Sequence, residues 1–150
     1  MAVSYQELLE RAKRYCAYQE RATSEVVMKL EVWKAGSEQV DTVLAELKQE
    51  AYLDDERFAS AFVRGKHNIR KWGRGKIRSA LRVKKIEESI ISRALDEINE
   101  AEYLEQLETI IEQKKRSLPE TTSPASHKKI INHALAKGYE LNLIYRILNK

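Results

Sequence analysis

From Arg64 to Lys85 the sequence reads RGKHNIRKWGRGKIRSALRVKK, ten Lys or Arg in 22 residues with no Asp or Glu. The remainder of the chain holds 17 basic and 23 acidic side chains, so one positive block sits in an otherwise acidic protein. Arginine matches carboxylate and phosphate oxygens two at a time, and lysine serves as a compact point charge for the same anions. The chemistry on offer is capture of a polyanion, by contacts that give affinity without sequence information. The candidate contact residues are Arg64, Lys66, Arg70, Lys71, Arg74, Lys76, Arg78, Arg82, Lys84 and Lys85. Arg57, seven residues before Arg64 on the same helix face, extends that surface or pairs with nearby acids. Trp72 is placed to stack on a base, to anchor in a partner pocket or to close the core at the end of its helix.

No other cluster offers bond-making chemistry. Asp54, Asp55 and Glu56 stand where a helix begins, and capping of free backbone N–H groups accounts for them. His67, His127 and His133 fall in no metal-ligand spacing, and Cys16 is the single cysteine, on an apolar helix face. The sequence has no Walker loop, no GxGxxG and no GxSxG. The expectation is a protein without catalytic residues, metal or cofactor, and not an enzyme.

The elements that must carry the basic block are helical. Gly numbers 5 and Pro 2, too little punctuation for many strands. Ser4 with Glu7 three residues on has capping-box spacing for a first helix to Tyr18. A second runs over Ser24 to Ala35, with Gly36 as its left-handed stop, and Ser37 caps a third with Val40, Val43, Leu44 and Leu47 at helical period. Asp54 opens a fourth helix with Phe58, Phe62 and Ile69 on one face; Gly73 and Gly75 mark the break before the helix of Ile77, Ala80 and Leu81. Arg74, Arg78 and Arg82 form a stripe opposite that apolar set. Like charges four apart repel by a few tenths of a kcal/mol per pair, and no acid within the stretch relieves them. In the last third, Ser123 caps a helix with Pro124 at its first position, Ile131, Ala134 and Leu135 line it, and Gly138 ends it.

The segments repeat. Val40-Val43-Leu44, Ile91-Ala94-Leu95 and Ile144-Ile147-Leu148 are one apolar triplet, 51 residues apart (40 to 91) and then 53 (91 to 144). The fold class expected is all-α: three tandem three-helix repeats over 1–52, 53–99 and 100–150, stacked into an elongated, curved, solenoid-like chain. One globular bundle with coincidental spacing is the alternative. The longest unbroken apolar run is Tyr15 to Tyr18, far short of the ~20 residues that span a bilayer, and the first residues lack a signal-peptide apolar region. With a single cysteine, the expectation is a cytoplasmic protein.

Leu53-Asp54-Asp55, Arg57-Phe58-Ala59, Gly73, Ile77, Leu81, Lys84, Ile86 and Ala94-Leu95 together resemble the signature of the RecX family. The match covers Leu53 to Ile98; the outer repeats share only period and apolar pattern. The resemblance implies three three-helix repeats and a regulator of the RecA recombinase, within DNA repair, recombination and the SOS response. It implies binding along the groove of the RecA–single-stranded DNA filament, restraining filament growth, ATPase, strand exchange and coprotease activity. Where the family turn has Lys-Gly-Ile, this chain has Lys84-Lys85-Ile86, a position whose left-handed conformation costs about 1 kcal/mol without glycine.

The leading expectation is thus a monomeric, non-enzymatic modulator of the RecA nucleoprotein filament, with only weak non-specific DNA contact and no membrane. Reversing Arg74, Arg78 and Arg82 to Glu is expected to abolish inhibition of RecA ATPase and to leave helicity intact. The runner-up is a stand-alone nucleic-acid-binding module that lays the same arginine stripe on phosphates. A third class is a structural adaptor whose basic patch no anion competes for.

Overall fold

The structure, a computed structural model, describes residues 3–150. Among the described residues there are nine α-helices and no strand. They are α1 (Tyr5–Tyr18), α2 (Thr23–Val32), α3 (Ser37–Gln49), α4 (Asp55–Asn68), α5 (Arg74–Val83), α6 (Glu88–Leu95), α7 (Glu100–Arg116), α8 (Pro124–Ala136) and α9 (Leu141–Leu148). Their starts follow local chemistry. Ser4 Oγ accepts from the Glu7 backbone N–H, Asp54 from those of Glu56 and Arg57, and Ser123 from that of Ser126, with Pro124 following it.

The helices pack in threes around separate cores. Leu8, Val26, Leu30, Val43 and Leu47 fill the first, Phe58, Val63, Ile77, Leu81 and Ile91 the second, and Tyr103, Leu107, Ile111, Ile130 and Ile144 the third. The cores interlock at their edges, since Leu53 packs into the first and Ala22 into the second. Hydrogen bonds between triads join first to second and second to third, which makes an elongated row.

The middle helix of each triad stops in the same way. Lys34, Lys85 and Gly138 have φ of 64°, 59° and 100°. The next residue's N–H reaches back to Leu30 O, Leu81 O and Ala134 O at 3.0, 3.2 and 3.2 Å. This is the Schellman stop, three times over. Gly36 is therefore not the left-handed residue expected of it: it has φ −74° and is the N-cap of α3, so Ser37 is the first helical residue rather than the cap. Two apolar assignments also change. Ile69 is 79% exposed, because α4 ends there and the chain turns outward, and Leu135 is 40% exposed while Ile130 and Ala134 take the inner face of α8.

Candidate partner-binding surface

The basic block spans the end of α4, the turn Ile69–Gly73 and all of α5. Lys71 has φ 62°, and the Trp72 N–H returns to Lys66 O at 3.1 Å, which swings Trp72 back beside its own helix. Trp72 is half-buried against the second core, and the Lys66 and Lys76 ammonium nitrogens stand 4.9 and 4.6 Å from its ring centroid. It closes the core and holds two cations at once.

The arginine stripe is not uncompensated. Arg74 pairs with Glu140 at 2.5 Å and with Glu100, and its guanidinium lies 3.9 Å from the centroid of the Tyr103 ring. Arg78 and Arg82 share Glu88 at 2.5 and 2.8 Å. Their hydrogen bonds, that of Arg82 foremost, hold the Glu88 carboxyl down at about 2. Arg57 pairs with Glu20 at 2.6 Å and donates to Ala51 O, Lys84 pairs with Glu25 at 3.0 Å, and Arg64 stands 3.9 Å from Glu97. The acids lie outside the 64–85 stretch, four of them in other triads and Glu88 in the next helix, so counting charges within the stretch could not find them.

Among the described residues, Lys66, Arg70, Lys71, Lys76 and Lys85 carry no such pair, and the first four lie on or next to the Trp72 turn. Lys71 lines a 270 Å³ groove with Glu102 and Glu105 of α7. Lys85 stands apart, in a 380 Å³ cleft between α2 and α5 with Met28 and Val83.

Several residues at this site carried no signal in the sequence. His67 is buried, stacked on Tyr103 at 5.4 Å, with Nδ1 3.0 Å from Trp72 O. Tyr139 Oη donates to Lys71 O at 3.0 Å, and Gln106 bonds both Tyr139 Oη and His67 O. Tyr103 Oη donates to Glu140 and accepts from the Arg74 backbone N–H. Burial, then the hydrogen bond to Glu140, push the Tyr103 phenol far above its ordinary range, so it stays a donor. This buried polar joint between the second and third triads consumes Arg74, and reversing Arg74 to Glu would disrupt folding along with any binding. The described residues contain no cluster that could hold a metal ion, and no helix is long and apolar enough to cross a membrane.

A row of three-helix units with a basic central unit defines a class of helical-repeat proteins. Residues 54–95 match the family described as "RecX, second three-helix domain". The chain is 28% identical over 130 residues to "Regulatory protein RecX" of Bacillus cytotoxicus, covering 87% of this chain and 48% of that one. It is 30% identical over 141 residues to that of Limosilactobacillus reuteri, covering 92% and 51%. A solved structure described as "Crystal structure of regulatory protein RecX" superposes with TM-score 0.86 at 26% identity, over 97% of this chain and 72% of that one. RecX from Lactobacillus salivarius has the same fold, with TM-score 0.89 at 23% identity, over 97% and 94%. The second triad matches the RecX family, and the chain as a whole is similar to RecX proteins in sequence and fold. It spans about half the length of the curated relatives it matches.

Proposed function

We propose that this chain regulates the RecA recombinase by binding the RecA–single-stranded DNA filament, limiting its extension, ATPase, strand exchange and coprotease activity. Its relatives are described as regulatory proteins. The observation that carries the reading is the set of unpaired cations on the Trp72 turn, Lys66, Arg70, Lys71 and Lys76, on a central triad that matches the family. A cation without an internal carboxylate is free to be neutralised by a partner. Arg57, Arg74 and Lys84 are instead engaged by acids of neighbouring triads, Arg64, Arg78 and Arg82 by acids of their own, and Lys85 stands apart from the surface. An elongated row of units can reach across neighbouring protomers of a filament.

The test is RecA ATPase on single-stranded DNA with and without the protein, beside the variant Lys66→Glu/Arg70→Glu/Lys71→Glu/Lys76→Glu. Wild type is expected to inhibit. The variant should need roughly tenfold more protein for half-inhibition, the scale of losing electrostatic contacts, with unchanged circular dichroism. Equal inhibition by the two proteins would overturn the site, and no inhibition by wild type would overturn the function. The second reading, a module that binds nucleic acid without RecA, draws on the same unpaired cations.

A further inference from the structure

Each triad has an outer seam where its middle helix meets its last. In the second triad charge closes that seam: Arg78 reaches Glu88 at 2.5 Å and Ser92 Oγ at 3.4 Å, and Arg82 reaches Glu88 at 2.8 Å. The third triad repeats this geometry 53 residues on, since α6 spans 88–95 and α9 spans 141–148, and the left-handed stops are Lys85 and Gly138. The fully buried pairs Ile77 and Ile130, Leu81 and Ala134, Ile91 and Ile144 keep the same offset. The positions of Arg78, Arg82, Glu88 and Ser92 therefore fall on Ile131, Leu135, Leu141 and Tyr145. In the first triad, 51 residues before the second (37 against 88), they fall on Val27, Glu31, Ser37 and Asp41.

A seam that is polar or charge-paired in two units is thus apolar in the third. Ile131 is half-buried against the third core, while Leu135, Leu141 and Tyr145 are 40%, 42% and 47% exposed. Single exposed apolar side chains need no explanation, but four gathered at one seam form a patch. Its border is cationic. α8 and α9 contain no Asp or Glu, Glu140 between them is taken by Arg74 and Tyr103 Oη, and Glu120 at the head of α8 is taken by Ser123 and Ser126. Lys128, one turn before Ile131, and Arg146, next to Tyr145, are exposed.

We propose that the α8–α9 seam of the third triad is a docking groove for an amphipathic helix of an acidic partner protein. Apolar residues of that helix at i, i+3, i+4 and i+7 lie on Ile131, Leu135, Leu141 and Tyr145, and its flanking carboxylates meet Lys128 and Arg146. Four side chains fall well short of the ~800 Å² per partner that a stable dimer buries, and a second copy would bring like charges together. A bilayer is a poor match because α9 turns Leu143 and Ile144 into its own core and so keeps only part of its apolar surface outward. The proposal does not rest on the proposed function, since none of the four cations at the Trp72 turn takes part.

The test is fluorescence anisotropy of a labelled helical peptide with Leu at heptad spacing and Glu at the flanking positions, beside a control with Lys in place of Glu, and the full chain without RecA. Wild type is expected to bind the Glu peptide at least roughly tenfold more tightly than the Lys peptide. Leu135→Arg/Leu141→Glu writes the Arg82–Glu88 pair of the second triad into the seam and should lose the Glu peptide by roughly tenfold or more, with a thermal melt close to wild type. Lys128→Glu/Arg146→Glu changes two exposed side chains and should erase the preference for the Glu peptide, which keeps the test decisive if the first variant fails to fold. No binding by wild type, equal binding of the two peptides, or unchanged binding by the variants overturns the groove. A concentration-dependent dimer in sedimentation that Leu135→Arg/Leu141→Glu abolishes gives the face to a second copy, and binding to phosphatidylglycerol vesicles that it abolishes gives the face to a membrane; either overturns the helix. Lys66→Glu/Arg70→Glu/Lys71→Glu/Lys76→Glu should bind the Glu peptide as wild type does, so failure of the groove and failure of the proposed function are read separately.

Discussion

A Cβ on Gly73 would lie 2.5 Å from the carbonyl carbon of Gly138, so the second and third triads meet backbone to backbone. Gly73 N–H donates to Lys137 O at 2.7 Å and Gly75 N–H to Gly138 O at 2.9 Å. Gly73→Ala is expected to destabilise the protein by roughly 1–3 kcal/mol, since the clash is with backbone that cannot step aside. Gly138→Ala should cost more, because its φ of 100° adds strain to the contact with Lys76. Gly75→Ala, with its nearest atom at 3.1 Å, should cost the least of the three. Urea denaturation followed by circular dichroism ranks them; equal midpoints for wild type and Gly73→Ala would contradict the joint.

Arg74 is the polar half of the same joint. Its side chain is 24% exposed and bridges Glu100 and Glu140 across the boundary. Arg74→Met keeps the stem and removes both pairs, with an expected loss of about 2 kcal/mol from hydrogen bonds to charged groups. Thermal melts check the loss. In the same variant half-inhibition of RecA ATPase should change little, because Arg74 is already taken by Glu100 and Glu140.

Glu88 masks Arg78 and Arg82, and its carboxyl is held down at about 2 against an ordinary 4.5. A depressed carboxylate stabilises the fold above its unfolded value and loses that contribution as pH falls through its folded one. The stabilising effect is therefore full above about pH 4.5 and gone below about pH 2. Glu88→Gln should melt lower than wild type at pH 7, and the two should converge as pH approaches about 2. The same variant unmasks two arginines and should bind oligothymidylate more tightly at neutral pH. A gap between the melts that stays constant down the pH series would exclude this role.

Lys34 and Lys85 hold the left-handed stop with a side chain in place, whereas Gly138 does so without one. Lys85→Gly should relieve strain worth about 1 kcal/mol, less the entropy that glycine adds to the unfolded chain. The expected net gain is about zero to a few tenths of a kcal/mol, and Lys34→Gly should behave alike. A Lys85→Gly protein that unfolds at a lower urea concentration would mean that the lysine side chain contributes more to packing than its backbone strain costs.

Much of the fold was legible because local chemistry and periodicity are written in order along the chain. Ser4, Asp54 and Ser123 cap the helices they were expected to cap, since a cap needs only its own first turn. The 51- and 53-residue spacing pointed to repeated triads because each middle helix must stop and turn at the same register. Gly36 misled because lysine occupies the left-handed stop, so the Schellman position at Lys34 bore no glycine to mark it. Ile69 misled because period alone does not say where a helix ends.

The amino-acid sequence by itself determined the helices, their grouping in threes, the concentration of charge in the middle unit and the resemblance of that unit to the RecX family. It did so because these depend on residues near one another in the chain. Only the tertiary structure decided which cations are free. Glu140 lies 66 residues from Arg74 and Glu25 lies 59 from Lys84, and packing alone brings such partners within bonding distance. Charge along a chain is additive, but neutralisation is a matter of a few ångströms in space. The arginine stripe thus became internal structure, and the lysines beside Trp72 kept no carboxylate partner within the chain.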